Sequence, residues 1–129
     1  MNVHERFKDF DEAHCWQYEM RLQNMEADLR ESGLAEEEAL RLRTDDFVFS
    51  YVDKGDKEQC AEIKKFIERH EWLGKMPIWV THRFIARHER TGILAAVIIM
   101  ATPNTFSDLL GKENSGLEKL ISRGACISW

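Results

Sequence analysis

The hydrophobic period of this chain changes once, near Phe47, and that change fixes what the chain can fold into. Before it, Val3, Phe7, Phe10, His14, Tyr18, Leu22, Met25 and Leu29 recur at steps of three and four. That spacing places them on one stripe of a long amphipathic helix. Ser32-Gly33 ends the stripe, because glycine takes the left-handed conformation that closes a helix. A shorter helix is predicted over 35–43, with Glu36, Glu37 and Glu38 in its first turn facing the positive end of the dipole. Residues 1–46 therefore read as a helical hairpin, whose apolar stripe needs a partner.

From Phe47 the pattern is that of a sheet. Phe47-Val48-Phe49-Ser50-Tyr51-Val52 is β-branched and aromatic, and Asp53-Lys54-Gly55-Asp56 follows as a turn. Asp56 with Gln59 resembles a capping box opening a helix that puts Cys60, Ile63, Phe66, Ile67 and His70 on one face and stops at Gly74. Three further strands are expected: 83–88; 93–102, after the turn signal Arg90-Thr91-Gly92; and 118–127, after a short helical turn at 106–110 and a loop at 111–116. The stretch Ile93–Ala101 is apolar almost throughout, which predicts a central strand covered on both faces. The fold class is thus α/β: a helical hairpin over 1–46, then a β-α-β-β-β mixed sheet over 47–129. The last residues, Gly124-Ala125-Cys126-Ile127-Ser128-Trp129, form an apolar strand without a polar terminator. That pattern suggests a shortened sheet, or one that borrows cover from a second copy through its C-terminal strand edge.

Charge divides the chain at the same place. Residues 1–46 hold 13 Asp/Glu and 6 Lys/Arg (−7), residues 47–129 hold 10 and 12 (+2), and the two sum to −5. An anionic partner such as DNA would meet the second part, although acidic helices are more often simply solvated. Arg83 and Arg87, on one strand face with Lys75 upstream, are candidates for phosphate contacts. The equally weighted alternative is that they blunt an exposed strand edge. A composition of 43% apolar and 32% charged residues is that of a globular domain. No apolar run reaches the roughly 18 residues that a membrane span needs. With no apolar leader segment and three cysteines outside any CxxC pair, the expectation is a cytoplasmic protein with reduced thiols.

Catalytic motifs are sparse. His82 and His88 share a strand face but stand about 20 Å apart at that spacing, too far for one metal ion. No GxSxG elbow and no phosphate-binding loop occurs, and Gly111-Lys112 is an isolated pair. Ser122 and Ser128 could point into a site, yet sheet hydroxyls more often serve local hydrogen bonds.

The order strand, helix, strand, strand, strand resembles the opening of the GNAT acetyltransferase fold. Within it, Ile67-Glu68-Arg69-His70-Glu71-Trp72-Leu73-Gly74-Lys75-Met76-Pro77 resembles the phage Mom-type DNA-modification proteins, a GNAT class acting on adenine in DNA. Leu120-Ile121-Ser122-Arg123 resembles the start of that family's fourth strand. The resemblance covers about residues 47–129. It implies acyl transfer to an amine with acetyl-CoA as cofactor, with His70, Trp72, Arg83, Arg87 and Arg123 on the substrate side. Backbone groups of Cys126, Ile127, Ser128 and Trp129 would line the pantetheine arm. The family's glycine-rich pyrophosphate loop would follow this strand; the chain stops before it, so weak or absent acetyl-CoA binding is expected. The alternative class is a non-enzymatic binding module of phage type that engages a host protein or a second copy.

Overall fold

A computed structural model describes residues 16–71, 73–103 and 111–127. Helix α1 spans Trp16–Ser32 and the one-turn α2 spans Glu36–Ala39, followed by a 3-10 turn at Thr44–Asp46. Strand β1 is Phe47–Tyr51, helix α3 Lys57–His70, β2 Val80–His88 and β3 Leu94–Ala101; a 3-10 turn at Lys112–Leu117 precedes β4, Leu120–Cys126. The protein is therefore a mixed α/β chain with a four-stranded sheet in the order β1-β2-β3-β4, every pairing antiparallel.

The helix signals act as the sequence requires. Gly33 ends α1 at φ 69°, and the residue before it is already fixed by Ser32 Oγ donating to the Leu29 carbonyl at 2.6 Å. Asp56 caps α3: its carboxylate accepts from the Gln59 amide at 3.1 Å and from the Gln59 side chain at 2.8 Å. Those bonds hold the Asp56 carboxyl below the usual aspartate range, the side-chain bond contributing most. The second helix of the hairpin is shorter than expected, because Leu40 is exposed and no residue of α2 is buried to hold further turns. The helical turn expected at 106–110, and residues 1–15 of the long helix, lie outside the described residues.

The sheet is antiparallel throughout rather than mixed, and the reason is the connection after α3. A 14-residue helix carries the chain about 20 Å. Residues 71–79 then bring it back to where β1 finished, so that Tyr51 pairs with Phe84 and Phe47 with His88. The turn after β2 is built by Gly92 at φ 72° and by the Gly92 amide bonded to the His88 carbonyl at 2.8 Å. Lys112–Leu117, read as a loop, is a 3-10 turn.

Helix α3 covers one face only. Ile63, Phe66 and Ile67, three and four residues apart, pack on Ile85, Val97, Ile99 and Val52, with Met76 and Ile127 at the margin. Each fully buried aliphatic side chain there contributes about 1.5–3 kcal/mol of transfer free energy. Strand β3 is central, as expected, but it is not covered on both sides: Val97 and Ile99 are 1% and 0% exposed while Ile98 is 45% exposed. A continuous apolar run does not reveal which of its alternate residues will find a partner.

Candidate functional site

Register sorts the proposed substrate residues. Arg83 pairs with Ile99 and Arg87 with Leu94, so both lie on the side covered by α3, as does Arg123 opposite Ile99. Strand β2 lies between β1 and β3, so Arg83 and Arg87 do not guard a strand edge; that reading is corrected. Arg87 forms a two-pronged ion pair with Glu62 of α3, also donates to Gln59 at 3.2 Å, and reaches the Gly92 carbonyl at 3.2 Å. The Glu62 carboxylate holds that guanidinium firmly in its charged form. Arg123 stands 3.7 Å from the buried Glu71 carboxylate and donates to the Ser122 carbonyl at 2.7 Å. Two of the three candidate arginines are thus engaged with carboxylates of their own chain.

His70 is brought to none of these arginines. Its side chain is 5% exposed, its ring tilted against Phe66 at a 4.4 Å centroid distance, with Nδ1 3.6 Å from the Asp28 carboxylate of α1. Arg69 takes the same carboxylate at 2.5 Å. Burial pushes the imidazole pKa down to about 4, the neighbouring Arg69 charge adds to the effect, and Glu31 opposes it. Asp28, Arg69 and His70, with Lys65, line a cleft of about 450 Å³ against the Thr91–Leu94 turn and Ile127. The cleft mixes both charge signs and does not define a single-sign anion site.

Of the residues expected along the pantetheine arm, Cys126 is exposed at the end of β4, and Ile127 continues the ladder through its amide to the Ala95 carbonyl at 2.9 Å. Trp72, Ser128 and Trp129 lie outside the described residues. Among the described residues no group of three His, Cys, Asp or Glu could hold a metal ion, and no helix is long and apolar enough to cross a membrane.

The surface that sequence reasoning missed is the other side of the sheet. Pairing aligns Phe49, Ala86, Ala96 and Cys126 in one row, and Tyr51, Phe84, Ile98 and Gly124 in the next. Beyond them Met100 pairs with Ile121 after a bulge in the ladder. Phe49 is 62% exposed, Tyr51 51%, Phe84 40% and Ile121 67%. Neither row contains Asp, Glu, Lys or Arg. Tyr51 and Phe84 meet edge to face at 5.8 Å, and His82 stacks on Phe84 at 6.2 Å, so the aromatic side chains hold one another in place. A shallow apolar groove of about 400 Å³ runs between Phe49, Phe84 and Ile98 over Ala86 and Ala96. Its signal in the sequence was the alternation Phe47-x-Phe49-x-Tyr51. No family model matches this chain, and no curated protein or solved structure does.

Proposed function

We propose that this protein is a non-catalytic interaction module whose working surface is the uncharged open face of its sheet. One observation carries the reading: Phe49, Tyr51, Phe84, Ile98 and Ile121 stand exposed on one side of a four-stranded sheet whose other side is filled by α3. Contiguous exposed apolar surface of this kind marks a binding surface in a folded chain. The candidate partners are a host protein or a second copy. The test is stability. With the protein dilute enough to be monomeric, Phe49→Ser and Ile98→Ser should each change unfolding free energy by about 0.5 kcal/mol or less, as exposed positions do. A concentration-independent loss of several kcal/mol would mean that the face is structural, and the reading fails.

A GNAT-like, Mom-related acyltransferase is the second reading, supported by the order strand, helix, strand, strand, strand with β4 beside β3. Acyl transfer to a DNA amine would use acetyl-CoA, His70, Trp72 and the three arginines. Against it stands the internal pairing of Arg87 and Arg123. Isothermal titration with acetyl-CoA tests it: saturable 1:1 binding would favour the enzyme over the module.

A further inference from the structure

The open face has a relief that fits itself. On β2 and β3, large and small side chains alternate along the strand. Phe84 and Ile98 form a ridge that Tyr51 continues on β1, and Ala86 and Ala96, two residues away on β2 and β3, form a trough that Phe49 closes at the β1 end. We propose that this face is a self-association surface, on which the ridge of one copy seats in the trough of a second copy. The proposal rests on the open face being the working surface, and goes further by naming its occupant.

The geometry follows from symmetry. A two-fold axis lying between the two sheets, running across the strands midway between ridge and trough, keeps each strand above its counterpart and reverses its direction. Position 84 of one copy then stands over position 86 of the other, and position 98 over position 96. A phenylalanine faces an alanine, and an isoleucine faces an alanine, at both symmetry-related places. Sheets that pack face to face are spaced about 10 Å apart with strands within about 30° of alignment, which needs large side chains opposite small ones. At the β1 end the axis sets Tyr51 over Phe49, an aromatic pair at the margin rather than a clash in the centre, where twist opens the sheets. The contact is isologous and closes at two copies.

Charge and area agree with this occupant. A patch of one charge sign would repel its own copy, and neither row carries Asp, Glu, Lys or Arg. The second part of the chain is otherwise rich in Lys, Arg, Asp and Glu, so this uncharged patch is local. The five exposed apolar side chains, each about half accessible, offer about 500 Å² per copy from side chains that bury about 150–250 Å² when aromatic. Two copies would bury about 1,000 Å², the lower bound for a specific interface and enough for a weak dimer, not an obligate one. A nucleic acid would need cations along the same face to hold its phosphates, and the two described rows contain no Lys or Arg.

Sedimentation velocity over a concentration series tests the proposal, with circular dichroism melts to confirm that each variant folds. The wild-type chain should pass from monomer to dimer in the micromolar range. Phe84→Ala removes the ridge and Ala86→Phe fills the trough, and each should weaken the dimer by about 10-fold or more. The combined variant exchanges ridge and trough on β2, restores a large residue opposite a small one, and should recover most of the loss. A monomer at every concentration would overturn the second copy as occupant. It would leave the working surface standing if Phe49→Ser and Ile98→Ser remain stable. A dimer that ignores all three variants would place the contact elsewhere, on an edge strand, and overturn the proposal. Loss in both single variants without recovery in the double would refute the seating of ridge in trough.

Discussion

Protonation of His70 should cost this protein stability as pH falls, and the size of the cost decides between two physical effects. The imidazole lies 5% exposed between α1 and α3, where desolvation disfavours the charged form. The Asp28 carboxylate 3.6 Å from Nδ1 would favour it. Asp28 is already engaged by Arg69 at 2.5 Å, so its charge is largely spent, and desolvation wins; the pKa falls from 6.5 to about 4. The unfolded chain then binds a proton near pH 6.5 that the folded chain refuses until about pH 4. Stability is complete above pH 6.5 and is lost progressively down to about pH 4, because the unfolded state binds more protons in that window. A depression from 6.5 to about 4 corresponds to about 3 kcal/mol at 1.36 kcal/mol per unit. Urea unfolding between pH 7.5 and pH 4 should show the wild-type chain losing about that much more than His70→Leu, whose slope reports the remaining titratable groups. The variant keeps an apolar group against Phe66 and so isolates the proton. Equal slopes, or a His70 pKa above 6.5 by NMR titration, would mean that Asp28 stabilises the imidazolium and would refute the argument.

Two further outcomes follow from the packing. Ile67→Ala, at a position 0% exposed beneath the sheet, should destabilise by about 2–5 kcal/mol in denaturant unfolding, since the cavity under Val97 and Ile99 cannot close. A loss below about 1 kcal/mol would show that α3 is not clamped to the sheet. Glu62→Ala and Arg87→Ala in a double-mutant cycle should return a coupling of about 1 kcal/mol for this partly exposed two-pronged pair. Glu62→Ala should also raise DNA retention at low salt, because it frees the Arg87 charge; unchanged retention would remove Arg87 from any anion-binding role.

Legibility in the sequence followed how local each physical cause was. The Asp56–Gln59 cap, the Gly33 stop and the Ile63/Phe66/Ile67 face depend on residues three or four apart, and the structure places all three as the sequence implied. Positions that depend on a distant partner were not legible. Arg87 reads as a surface cation until α3, 25 residues away, supplies Glu62; Arg123 does so until Glu71 approaches from the far end of the same helix. His70 reads as part of the apolar face of α3, and its carboxylate neighbour emerges only when α1 brings Asp28 to 3.6 Å.

The same locality explains why the open face escaped notice. Apolar residues at every position of Ile93–Ala101 signal a strand with two apolar sides, but covering both sides takes two layers of chain. Among the described residues only α3 packs its apolar stripe on the sheet, so one of the two apolar sides lacks a layer. The alternation of bulky Tyr51, Phe84 and Ile98 with small Ala86 and Ala96 emerges only once β1, β2 and β3 are set in register. A one-residue slip would turn those side chains beneath α3 and lift Val97 and Ile99 into solvent. The burial of Ile63 and Ile67 against that pair, worth about 1.5–3 kcal/mol per side chain, is what locks the register. The core thus sets the relief on the opposite face, and a substitution that loosens α3 should blur the outer surface as well.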